Sequence, residues 1–173
     1  MVKKPKSHGT GRFRKKDFAK IGRNVVFEEG ALVFHPENVE IGDNVYIGHY
    51  AVIKGYYKNR MKIGGGTWIG QHVFLHSAGG LEIGRDVGIG PHAVIITSVH
   101  KSGNKKRPVM HNELDFKPVV IGDGCDIGIG AMVLPGVKIG MNSIIGAGAV
   151  VTRDIPAYCV AAGNPAKVIK KRI

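Results

Sequence analysis

Cysteine is almost missing from this chain: Cys125 and Cys159 are the only two among 173 residues. Two thiols supply no disulfide framework, so the chain is not a stapled secreted scaffold, and a cytoplasmic compartment is the default expectation. Long apolar runs are also missing. Nothing approaches the ~18 residues of a membrane span. The charged N-terminus has no apolar segment behind it and does not read as a secretory signal. Acids are scarce, 13 against 25 Lys and Arg, which leaves a net charge of +12. Such a surface attracts nucleic acid, anionic membrane or polyphosphate ligands. Nucleic acid is the weakest of the three and is not expected as a partner. There is no helix-turn-helix pattern, no zinc-finger spacing and no aromatic-rich strand of the RNA-binding kind. Residues 1–20 form a basic extension, with Lys3, Lys4, Lys6, Arg12, Arg14, Lys15, Lys16 and Lys20 against Asp17 alone. They read either as a solvated tail or as a contact with an anionic membrane or lipid-linked glycan, peripheral to the inner face of the membrane.

Glycine, by contrast, is plentiful at 26 residues, and it follows a rhythm. From residue 121 the chain reads IGDGCD, IGIGAM, VLPGVK, IGMNSI, IGAGAV, VTRDIP. Each block opens on an aliphatic residue and carries a small or β-branched residue at its fifth position: Cys125, Ala131, Val137, Ser143, Ala149. Upstream blocks include IGDNVY, IGHYAV, IGGGTW, IGQHVF, IGRDVG and IGPHAV. A fixed short repeat means stacked units that bury a core only together, and a period of six matches the hexapeptide repeat of a parallel β-helix. The fold expected is therefore all-β. Ile at the first position stacks inward, and Gly at the second permits a tight corner.

Three hexads make one 18-residue turn of a triangular prism. Coil starts fall at Ile21, Ile41, Ile63, Ile83, Ile121 and Ile139, leaving insertions of 2, 4, 2, 20 and 0 residues between them. Placed after the third hexad, all insertions leave at the same corner and the register survives. The β-helix domain then spans 21–173. The long insertion, 101–120, is polar and basic, and a long loop in a compact repeat is usually functional. It also has the reach to touch a neighbouring prism. At the C-terminus, Asn164-Pro165 reads as an N-cap and first helical position, so a short helix is expected over about 165–172, with Lys167, Lys170 and Lys171 on one side.

The segment KPVVIGDGCDIGIGAMVLPGVKIGMNSIIGAGAVVTRDIPAYCVAAGNPAKVIK, Lys117 to Lys170, resembles the C-terminal half of the hexapeptide acyltransferases. It is most similar to the galactoside and maltose O-acetyltransferase branch and to glycan O-acetyltransferases. The stretch IGAGAVVTRDIP with VAAGNPAKVI carries most of that specificity. The resemblance implies a left-handed β-helix, a homotrimer with active sites between subunits, acetyl-CoA as co-substrate and a sugar or glycan hydroxyl as acceptor. It also implies a histidine at the start of the long loop as general base, which here is His100. The chemistry asks for one: a neutral imidazole takes the hydroxyl proton as the oxygen attacks the thioester directly, with no covalent enzyme intermediate.

By the same resemblance, Ala147, Thr152 and Arg153 line the CoA groove, and Lys167 and Lys170 stand where the family has arginines near the phosphates. Lysine keeps the charge and loses the bidentate fork. On the acceptor side, Trp68, the single Trp, aligns with an aromatic position and reads as a sugar platform or as packing at a coil edge. Gly70 aligns with an Asn that contacts the acceptor, and Asp126 stands where the family often has Trp. Glu113 and Asp115 read as groups that orient His100 or the acceptor, or as solvated carboxylates. The family's N-terminal helical segment has little counterpart in the residues before the first coil, and its acidic acceptor residue has none. Together these departures count against a simple galactoside and are compatible with a larger glycan.

Three rivals remain. An amino-sugar N-acetyltransferase would share the prism and the base. A non-catalytic hexapeptide scaffold would keep the coils and lose the loop histidine and basic tail, both of which are present. A zinc site of the kind found in γ-class carbonic anhydrases is suggested by IGQHVFLHSAGG, with His72, His76 and His92 nearby. There the two His lie five apart; here His72 and His76 are four apart with Gln71 at the expected position. Zinc needs three placed protein ligands and an open fourth position, so no metal is expected.

Overall fold

The computed structural model describes residues 6–103 and 105–173. Lys3 and Lys4 of the basic extension, and Asn104 of the long loop, lie outside the described residues. The chain winds as a parallel β-helix with three sheets as its faces. The first face stacks Lys20–Ile21, Val39–Ile41, Met61–Ile63, Leu81–Ile83, Val119–Ile121 and Lys138–Ile139. The second stacks Val26–Phe27, Tyr46–Ile47, Trp68–Ile69, Gly88–Ile89, Asp126–Ile127 and Ile144–Ile145, then Cys159–Ala162 and Lys167–Lys171. The third stacks Leu32–Phe34, Val52–Lys54, Phe74–His76, Val94–Ile95, Met132–Val133 and Val150–Val151. The coil starts read from sequence pair in order, Ile21 with Ile41, then Ile63, Ile83, Ile121 and Ile139. At about 4.8 Å per coil, six coils stand roughly 29 Å tall.

Inward positions alternate with outward ones along each short strand, so each coil contributes a few aliphatic side chains and the stack makes the core. Ile41, Ile47, Ile53, Ile69, Ile83, Ile89, Ile95, Ile121 and Ile127 are fully buried, as are the small fifth-position residues Ala131 and Ser143. The outward columns differ by face. On the first they alternate in sign, Lys20, Glu40, Lys62, Glu82. On the third, one column is apolar throughout, Leu32, Val52, Phe74, Val94, Met132 and Val150, while a second beside it holds Phe34, Lys54 and His76.

Two expectations about the ends change. From Gly11 the N-terminal extension is packed rather than free. Phe13, Phe18 and Phe27 form a ring cluster under the first coil, and Gly11 accepts a hydrogen bond from Val33 N at 2.9 Å. The C-terminal helix is not formed. Lys167–Lys171 is a strand, antiparallel to Cys159–Ala162. An eight-residue helix is marginal alone, whereas the last coil offers an open sheet edge to the β-branched pair Val168-Ile169.

Candidate active site

All insertions do leave at the corner between the third and first faces, and the largest carries His100. Its limits shift from the expected 101–120. The excursion starts at Ser98–His100, which pairs antiparallel with Leu114–Phe116, and Val119 and Val120 are already back in the first face. Thr97 anchors the base: its Oγ1 donates to His76 O and accepts from Gly79 N, both at 2.9 Å.

His100 is exposed, and its Nδ1 lies 3.1 Å from the main-chain oxygen of Asn112. A carbonyl only accepts, so Nδ1 carries the hydrogen, and in the neutral ring the lone pair is then on Nε2. Asn112 is itself buried at 7% exposure. Its Nδ2 donates to Lys101 O at 2.7 Å, and its Oδ1 accepts from Arg107 Nε at 2.8 Å. Neither carboxylate named from sequence holds the imidazole. Glu113 pairs with Lys101 at 3.0 Å, which lowers its pKa, and Asp115 pairs with Lys117 at 3.1 Å. Sequence reading missed Asn112 because the orienting atom belongs to the main chain.

The remaining site residues lie elsewhere on the prism. Trp68 and Asp126 are outward on the second face, separated by one coil. Lys167 and Lys170 pair with Ala162 and Val160 on that same face. A register shift between Val160 and Ala161 keeps both lysines on one side, as a helix would have done. Ala147 is exposed at the corner between the second and third faces, next to Gly148, where an added Cβ would touch nothing. Thr152 and Arg153 are exposed at the loop's corner, one coil above Gly136, whose added Cβ would meet Lys117. In a triangular prism the second face is opposite the corner that emits the loop. One protomer therefore does not bring His100 together with Trp68, Asp126, Lys167 and Lys170. A cleft of about 350 Å³, lined by Lys20, Glu40, Lys62, Glu82 and Arg85, belongs to the first face and not to the loop.

The three histidines of the zinc reading also separate. His72 and His92 stack as parallel rings 4.9 Å apart at the corner between the second and third faces, with Tyr50 stacked on His72. His76 is half-buried on the third face against Phe74 and Tyr56, where burial and then the Lys54 charge push its pKa down. Among the described residues, no group of three or more His, Cys, Asp or Glu could hold a metal ion. No helix among them is long and apolar enough to cross a membrane.

Comparison with known proteins gives a consistent picture. Residues 118–153 match the family described as bacterial transferase hexapeptide (six repeats). A Saccharomyces cerevisiae protein named as an acetyltransferase is 38% identical over 149 residues, 86% of this chain and 63% of its own. An Escherichia coli protein named for acetyl transfer in colanic acid biosynthesis is 30% identical over 155 residues, 90% of this chain and 70% of its own. The crystal structure of a maltose O-acetyltransferase from Clostridium difficile is 30% identical, with a TM-score of 0.67 over 92% of this chain and 72% of that one. The chain thus spans less than two thirds of the yeast relative's length.

Proposed function

The chain belongs to the hexapeptide-repeat acetyltransferases, and from that premise we propose that it moves acetyl from acetyl-CoA to a hydroxyl of a sugar or glycan. The observation that carries this reading is the His100 imidazole, held at Nδ1 by the Asn112 carbonyl, with Nε2 making no hydrogen bond among the described residues. The acceptor hydroxyl gives its proton to Nε2 as its oxygen attacks the thioester carbonyl. The C–S bond then breaks, and the proton returns from Nε2 to the departing thiolate. Lys167 and Lys170 supply point charges for the CoA phosphates. Ala147, Thr152 and Arg153 border its path, and the open corner at Gly148 leaves it room. Acetyl transfer to a panel of glycans and amino sugars, read by mass shift, tests the reading. Mass gain on a hydroxyl supports it, and gain confined to amines replaces it with N-acetylation.

The active unit we propose is a homotrimer with sites between subunits. His100 and the second-face residues lie on opposite sides of one prism, so they serve one reaction only across a subunit boundary. The third face is the surface to bury, since one of its columns presents six apolar side chains outward, and so continuous an apolar strip marks a contact surface. A cyclic arrangement closes such a contact. Phe74→Glu combined with Val94→Glu is expected to give monomers in light scattering, with native circular dichroism and no acetyl transfer. A trimer that survives both charges would place the contact on another face.

A further inference from the structure

The second face has a gap in its outward column. In rising order the column is Val26, Tyr46, Trp68, Gly88, Asp126 and Ile144. Tyr46 and Trp68 are stacked, 5.6 Å between centroids and 5° between planes. The indole therefore has one face on Tyr46 and the other turned toward the next coil. There the column has no side chain, because the residue is Gly88. Asp126 follows one coil higher, so about 9.6 Å, two coil spacings, separates the Trp68 backbone from that of Asp126. The carboxylate leans into the gap. A Cβ built on Gly88 would have Asp126 as its sole contact within 4 Å, with Oδ1 at 3.0 Å.

The gap is open at both of its walls. Trp68 is 41% exposed, although large aromatics are usually covered. Asp126 makes no ion pair among the described residues, whereas Asp17, Asp43, Glu40, Glu113 and Asp115 each hold a cation. Ionised, a carboxylate only accepts hydrogen bonds, so it matches a partner rich in O–H or N–H donors. A saturated ring lying on the indole at roughly 4 Å, the usual contact distance, leaves its hydroxyl edge within reach of Oδ1.

We propose that Trp68, Gly88 and Asp126 form a slot for one pyranose ring of the acceptor, neutral or cationic, and that the Asp126 carboxylate excludes acidic rings. The inference deepens the acetyltransferase reading and rests on it for its catalytic consequence. It names the charge class that reading leaves open. It also runs against the net charge of +12. The field of the whole molecule draws in polyanions, while the slot rejects a negative charge on the ring it holds.

Trp68 is the only tryptophan, so its fluorescence reports the slot without turnover. The full chain is titrated with methyl glucoside, methyl glucosaminide and methyl glucuronide, which present one ring with three charges. Saturable change is expected with the first two, and binding at least about tenfold weaker with the glucuronide, as like-charge contact demands. Asp126→Asn, an exposed conservative change that leaves folding alone, is expected to bring the glucuronide within about threefold of the glucoside. Gly88→Leu fills the gap and should remove the response to all three. Glucuronide binding as tightly as glucoside to the unmodified chain overturns the proposal. So does an unchanged ranking in Asp126→Asn, or silence of Trp68 toward all three sugars. Failures of the two readings are separable. Acetyl transfer with a silent Trp68 removes the slot and keeps the enzyme. Titration of Trp68 with no transfer to any sugar removes the transferase reading and keeps the slot.

Discussion

Replacing His100 by alanine is expected to lower kcat for acetyl transfer by at least about 100-fold, the usual contribution of a positioned general base. A sugar hydroxyl is a poor nucleophile at neutral pH, and its proton must leave as the new C–O bond forms. His100 offers Nε2 for that proton because Nδ1 is committed to the Asn112 carbonyl. The KM for acetyl-CoA should move little, since no residue proposed for the CoA path lies on the hairpin. Near-normal turnover in the variant would remove His100 from the chemistry. Asn112→Ala gives a graded companion. The carbonyl that orients His100 survives the change, but the side chain that ties it to Lys101 O and Arg107 Nε does not. A fall of about tenfold in kcat is expected, as for loss of an orienting contact. Stopped assays that vary both substrates separate this from a binding defect.

The prism was legible because its cause is periodic. An inward Ile every coil leaves a mark that survives insertions, and the six coil starts pair in register as the spacing requires. The position of His100 at the base of the one long excursion follows from the same counting. What counting missed has three physical sources. The C-terminal segment has helix-start residues, but an open sheet edge decided its conformation, and tertiary context outweighs a local signal of that size. The partner of His100 is a backbone oxygen, which no residue type announces. Gly88 carries no signal in the sequence, and only the register between Trp68 and Asp126 turns it into a gap.

Gly64→Ala is expected to cost more than about 4 kcal/mol of stability, or to prevent folding, whereas Gly130→Ala should cost only about 1 to 2 kcal/mol. The contrast corrects the simplest view of the Ile-Gly repeat. The second-position glycine of the hexad does not make the corner. Positive φ falls two residues later, at Asn24, Asn44, Gly66, Asp86, Gly124 and Asn142 below the second face, and at Gly30, Tyr50, His72, His92, Gly130 and Gly148 below the third. Those positions admit side chains, at the modest expense of a left-handed residue. At Gly130 nothing lies within 4 Å of an added Cβ, so only that backbone term is lost. Gly64 has a different role. Its added Cβ would collide with the carbonyl group of Gly84 and fall 2.7 Å from Arg85 N, atoms of the next coil's backbone. Gly22, Gly42, Gly84, Gly122 and Gly140 are in the same situation. A methyl there separates two coils, and it breaks the sheet hydrogen bonds that stacking depends on. Chemical unfolding of the two variants reads the difference directly. Equal losses at the two sites would assign the cost to backbone conformation instead of coil contact.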